Sequence, residues 1–263
     1  MSYTLITTAD GSTSYINNAC DEAYHSIHGA YSEALEKHVL ACRIPELAAS
    51  QYELNILDIC FGLGYNSGVA IEQITKINPD CKINIVGLEN DAGVIELIAS
   101  LAVPESYRLA HATLVGSMGM RAGVILSEAK DPSGGAQGIA TAASLPRDDS
   151  KNATDVTFLR SQPRVQNTNL QLLLGDARKT IEQLELNHFD AIFFDPFSPR
   201  KCPELWQADF IAAVVARAKP GAYISTYSSA RIAKDGFKAA GCSIEEGPRL
   251  GRRSGGVLAR RLC

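Results

Sequence analysis

Long apolar runs are absent: nothing in these 263 residues approaches the roughly 18 to 20 needed to cross a bilayer. No basic segment followed by an apolar stretch opens the chain, "MSYTLITTADGSTSY", so no signal peptide is expected. None of the seven cysteines stands in a CxxC pair, and their count is odd. Neither a structural zinc site nor a disulfide framework is therefore expected. Cys60 and Cys81, in or beside apolar runs, read as small buried hydrophobes in a reducing compartment. Internal repeats are lacking too. These absences point away from membrane and metal and toward a cytoplasmic globular protein. The 46% apolar content suffices for a full core.

Charge is scarce overall but unevenly placed. The net charge is -4 and the pI about 5.8. Residues 200–263 nevertheless hold 12 Lys and Arg against 5 Asp and Glu, an excess of +7 on an otherwise acidic chain. Such a basic C-terminal quarter suits an anionic partner, or a solvated surface of mixed charge.

What is present is alternation. Strand-like runs at 54–60, 82–89, 170–176, 189–195 and 222–228 alternate with helix-like segments at 67–77, 92–101, 177–186, 203–218 and 230–241. Two final strands, "SIEEGP" and "GGVLARRL", lack a crossover helix between them and should form an antiparallel hairpin. The pattern predicts an α/β fold with helices on both faces of a mostly parallel sheet. Seven strands with an antiparallel last strand is the class I methyltransferase version of a Rossmann-like fold. Residues 1–50 read as an N-terminal cap or lid, and 51–263 as the main domain. A Gly-, Ser- and Ala-rich stretch at 116–169 breaks the alternation and is expected as a largely disordered insert.

The chemistry-bearing residues sit at strand ends. "ILDICFGLGYNSG" takes a strand through Asp58 into a turn with Gly62 and Gly64, with Cys60 where a first glycine might stand. Such turns serve dinucleotides and S-adenosylmethionine alike. Glu89 ends the next strand, at the distance where a carboxylate grips ribose hydroxyls. Asp176 and Asp195 end two more strands. Ligands in open α/β sheets bind beyond such ends. Four carboxylates there would repel a pyrophosphate but suit ribose hydroxyls and a cationic sulfonium. In "FFDPFSPRKCPELW", Pro196, Pro199 and Pro203 stiffen the loop after Asp195. A carboxylate fixed that way favours chemistry governed by position. Tyr24, His25, His28 and Tyr31 cluster near the N-terminus, and the two histidines lack further metal-ligand spacing.

"TADGSTSYINNACDEAYHSIHGAYSEALEKHV", "CFGLGYN", "FDAIFFDPFSPRKCPELW", "TYSSARIAKDGFKAAG" and "GRRSGGVLARR" together resemble the methyltransferase domain of the bifunctional bacterial tRNA 5-methylaminomethyl-2-thiouridine biosynthesis protein. The resemblance covers 4–101 and 170–263. It implies methyl transfer from S-adenosylmethionine to the 5-aminomethyl group of wobble uridine 34 in tRNA. Because the chain ends soon after its last strand, with no second dinucleotide fold, methyl transfer without an FAD-dependent oxidase is the expectation. Asp195 is the expected catalytic residue. The expected cofactor contacts are Asp58, Gly62, Gly64, Asn66, Glu89, Asp176 and Ala177. Tyr24, His25, Phe197, Arg200, Lys201, Arg252 and Arg253 are expected to hold the tRNA, aided by Arg231, Lys234 and Arg249. A class I methyltransferase or aminopropyltransferase acting on a small amine, and a silent RNA-binding relative, are the alternatives.

Overall fold

The computed structural model describes residues 2–119, 124–126, 165–250 and 255–262. Its first unit is one the alternation did not announce: a small antiparallel sheet of β1 (Tyr3–Thr7), β2 (Thr13–Asn17) and β3 (Glu22–Ala23). A helical segment follows, with an α-turn at Ala30–Glu33, a π-helix at Ala34–Leu40 and an α-helix at Ile44–Ser50. The β1–β2 turn caps that segment from a distance. Ser12 Oγ accepts from the Ala30 and Tyr31 N–H groups at 3.0 and 3.4 Å, and Asp10 Oδ2 accepts from the Ser32 N–H at 2.9 Å. First-turn N–H groups have no partner within their own helix, so the hairpin supplies one for each.

All seven expected strands form: β4 (Glu53–Ile59), β5 (Lys82–Glu89), then β7 (Thr168–Leu174), β8 (Phe189–Phe194), β9 (Ala218–Thr226), β10 (Cys242–Glu246) and β11 (Val257–Arg261). One short strand, β6 (Val124–Leu126), lies within the stretch expected as an insert. The sheet order is β10-β11-β9-β8-β4-β5-β7-β6. β11 is antiparallel to both neighbours and slots between β9 and β10, so the hairpin closes the sheet with β10 at the edge. The other pairings are parallel. The helix Arg108–Gly119 and the residues of β7 trim both ends of the expected 116–169 excursion. Residues 120–123 and 127–164 lie outside the described residues.

Helices cover both faces. One core packs the N-terminal helices and the helix Tyr65–Ile77 on the sheet. The other packs the helices Ala208–Arg217 and Arg231–Ala239 on the opposite face. Every residue of β8 is buried, because a central strand with two covered faces has no wet side. Burial on both faces leaves the carboxyl ends of β4, β5, β7 and β8 as the place where polar side chains emerge.

Candidate active site

A cleft of about 480 Å³ opens at those strand ends, roofed by residues of the N-terminal unit. Its floor is the turn after β4. Cys60, Gly62 and Gly64 all take left-handed backbone conformations, at φ of 63, 53 and 73°. Glycine adopts these without strain, whereas Cys60 does so at a cost. Cys60 also lines the cleft and is half-buried, so it is less enclosed than expected. Burial pushes its thiol well up.

Asp195 follows β8 with its N–H bonded to the Ile59 carbonyl at 3.1 Å. Its Oδ2 accepts from Asn66 Nδ2 at 3.0 Å and stands 3.5 Å from His38 Nε2. Burial would raise this carboxyl, but the His38 charge and hydrogen bond, with Asn66, outweigh it and hold Asp195 at about 2. His38 is itself buried on the π-helix, and its Nδ1 meets Ser225 Oγ on β9 at 2.9 Å. With Ser225 at Nδ1, the Nε2 edge of the ring is the one turned to Asp195. Sequence reading passed over His38, because a histidine inside "EALEKHVL" carries no local signal. The loop beyond Asp195 is pinned twice. Trp206 Nε1 donates to the Phe197 carbonyl at 2.9 Å, and Glu22 accepts from the Ser198 N–H at 3.0 Å and its hydroxyl at 2.7 Å.

The expected cofactor residues divide. Gly62, Asn66, Glu89, Asp176 and Ala177 line the cleft. Glu89 Oε2 accepts from the Gly62 N–H at 2.8 Å, tying the Gly turn to β5, while Oε1 accepts from the Asn90 and Asp91 N–H groups at 2.8 and 2.9 Å. Burial raises its pKa, opposed by those three bonds. Asp176 caps the short helix Ala177–Thr180 and pairs with Arg178 at 2.6 Å, which lowers its pKa. Asp91, not singled out in the sequence, lines the cleft as well and accepts from the Tyr3 hydroxyl at 2.6 Å.

Asp58 and Gly64 stand behind the cleft wall. Neither lines the cleft. Asp58 is fully buried behind the turn, where Oδ2 accepts from Ser67 Oγ at 2.6 Å and Oδ1 has no partner. Burial raises its carboxyl to about 7. Gly64 caps the helix Tyr65–Ile77 and faces the Phe61 ring instead.

Of the expected substrate residues, Tyr24, His25, Phe197 and Lys201 line the cleft. The Tyr24 and Phe197 rings meet at a tilt in the cleft wall, with centroids 5.1 Å apart and planes at 52°. His25 Nδ1 meets Ser14 Oγ at 2.9 Å, its ring lies edge-on to Tyr65, and burial lowers its pKa. Arg200 is exposed outside the cleft. Arg252 and Arg253 lie outside the described residues. Much of the C-terminal positive charge is engaged. Arg231 pairs with Asp235 and Arg249 with Glu246, while Arg217 and Arg261 donate to backbone carbonyls. Among the described residues no three His, Cys, Asp or Glu side chains gather to hold a metal, and no helix is long and apolar enough to cross a membrane.

The donor set fits S-adenosylmethionine. Glu89, Asp91, Asp176 and Asp195 surround the cleft, and the Arg178 guanidinium is already tied to Asp176. Carboxylates suit ribose hydroxyls and a sulfonium, and they repel a pyrophosphate.

Residues 149–261 match a family described as S-adenosyl-L-methionine-dependent methyltransferase. The chain is 26% identical over 240 residues to the tRNA 5-methylaminomethyl-2-thiouridine biosynthesis bifunctional protein MnmC of Chromohalobacter salexigens, covering 90% of this chain and 30% of that protein. It is 24% identical over 257 residues to an uncharacterised protein of Methanocaldococcus jannaschii, covering 98% of this chain and 59% of the relative. The chain therefore spans less than two thirds of the length of either relative. Among solved structures it is similar to MnmC2 from Aquifex aeolicus, with a TM-score of 0.73 and 28% identity over 100% of this chain and 70% of that one. The sheet is thus the class I S-adenosylmethionine-dependent methyltransferase fold, and S-adenosylmethionine is the cofactor.

Proposed function

Because the chain belongs to the family of the MnmC methyltransferase domain, we propose that it methylates the 5-aminomethyl group of wobble uridine 34 in tRNA. The observation that carries this reading is a carboxylate, Asp195, held ionised and doubly oriented at the cleft beside an aromatic pair. S-adenosylmethionine supplies an electrophilic methyl group, so the nucleophile must arrive uncharged.

An alkylammonium carries no lone pair and cannot attack. Asp195 orients the amine and accepts a proton from it, directly or through water. Its low pKa makes it a weak base, so its larger contribution is alignment of the nitrogen lone pair. Asn66 and His38 fix the acceptor oxygen, and the pinned loop fixes its backbone. Gly62, Glu89, Asp176 and Ala177 hold the cofactor. Tyr24 and Phe197 part to receive the unpaired base; stacking on aromatics is how proteins commonly hold one. The engaged arginines leave exposed Arg200, and Lys201, which lines the cleft and is held only loosely by exposed Asp21 at 3.9 Å, as phosphate contacts.

The test is transfer from labelled S-adenosylmethionine to tRNA carrying 5-aminomethyluridine at position 34, with wild type beside Asp195→Ala. Label on that nucleoside, reduced by roughly 10²- to 10⁴-fold in the variant, is expected. No label despite cofactor binding would favour a small-amine substrate.

A further inference from the structure

Glu33 and Lys37 form a wall of the cleft that the chemistry at Asp195 does not use. They stand four residues apart on the helical segment that also carries His38. Lys37 is 5% exposed, and its ammonium donates to Glu33 Oε1. Glu33 Oε2 accepts from the Ser26 N–H at 2.7 Å. Burial would raise the Glu33 carboxyl, but the bond and charge of Lys37 outweigh it and lower it.

An ammonium has three N–H donors. Lys37 has no second acceptor among the described residues, so two donors are left for whatever fills the cleft. A buried donor without an acceptor is costly, and a ligand that presents one recovers that cost. Glu33 meanwhile cancels the charge of Lys37. The wall offers donors without a net positive field that would oppose an amine-bearing ligand.

Position narrows the acceptor. His38, the next residue, faces Asp195, where the reacting amine is held in the reading above. In a uracil with an aminomethyl group on C5, the adjacent ring group is the C4 carbonyl. We propose that Lys37, held by Glu33, reads the base by donating to the C4 carbonyl oxygen of the target uracil. This inference rests on the amine-methylating reading. A cytosine would turn an amino group toward the same ammonium. Two donors would face each other, and the base would be rejected.

The experiment uses anticodon stem-loops carrying 5-aminomethyluridine or 5-aminomethylcytidine at the wobble position. Wild type is compared with the double variant Glu33→Gln/Lys37→Met, which leaves no buried charge unpaired. Thermal stability and cofactor affinity are measured on each. Wild type should prefer the uridine loop by about 100-fold in kcat/KM, falling to within about threefold in a folded double variant. A double variant with wild-type cofactor affinity and an undiminished preference would overturn the base-reading role. Lys37→Met alone, in which Glu33 can take up a proton, is the second variant and is read the same way. Failure of wild type to methylate either loop would instead overturn the amine-methylating reading, before any variant enters.

Discussion

His38 and Asp195 differ in what their loss should do. On the proposed function Asp195 meets the reacting amine, whereas His38 acts on it through Asp195 and is a positioning residue. His38→Gln should therefore lower kcat by about 10- to 100-fold, as misplacement of a reacting group does, while cofactor affinity stays within about twofold. Equal losses in both, by single-turnover kinetics and calorimetry, would assign His38 to general architecture. Asp58 makes a different prediction. An unfolded aspartate ionises near 3.9, and the folded one at about 7. The native state thus keeps a proton that the unfolded state has released. That stabilisation is complete below the unfolded value and is lost as pH rises through the folded one, by at most ~1.4 kcal/mol per pH unit. Asp58→Asn should remove this slope. Urea unfolding of both proteins from about pH 4 to pH 8 checks it, and parallel slopes would refute the assignment.

At the scale of elements, β11 is the strand most exposed to small changes. It enters the sheet between β9 and β10 at Gly256, where an added Cβ would lie 2.1 Å from the Thr226 carbonyl oxygen. Backbone cannot step aside as a side chain does. Gly256→Ala should cost about 1 to 3 kcal/mol, read as a shift in denaturation midpoint. No shift would show that the hairpin moves freely. The N-terminal segment shows how an element can be capped by another. Its Ser12 and Asp10 acceptors come from a turn about 20 residues earlier. Helix-window reading sees only Gly29 at the cap, so the start of the helix was not legible locally. Strands β4, β5, β7 and β8 were legible, because apolar runs ending in a carboxylate announce both the strand and its mouth.

Across the whole molecule, charge works at two ranges. The cleft gathers carboxylates, while the C-terminal quarter carries the positive excess. Arg231 and Arg249 are each paired with a carboxylate, so on the proposed function the attraction for tRNA phosphates falls more heavily on residues such as Arg200 and the loosely paired Lys201. Binding should weaken steeply with salt, and Arg200→Ala/Lys201→Ala should flatten the log K against log salt plot by roughly 1.5. Fluorescence titration over a range of salt tests this, and an unchanged slope would move the phosphate contacts elsewhere.

By itself the sequence determined seven of the eight strands of the main sheet, their mostly parallel pairing with an antiparallel hairpin at the end, and the carboxylates at the strand ends. These follow from local periodicity and from turns that only certain residues allow. Tertiary structure alone decided which carboxylates face the cleft. Asp58 and Asp195 look alike in sequence, each ending an apolar strand, yet one is sealed behind Ser67 and the other opens beside His38. The difference lies in contacts between residues far apart in the chain, such as His38 with Asp195 and Ser225, and Asn66 with Asp195. Periodicity reports which way a side chain points from its own element, and only the packing of several elements sets what stands opposite it.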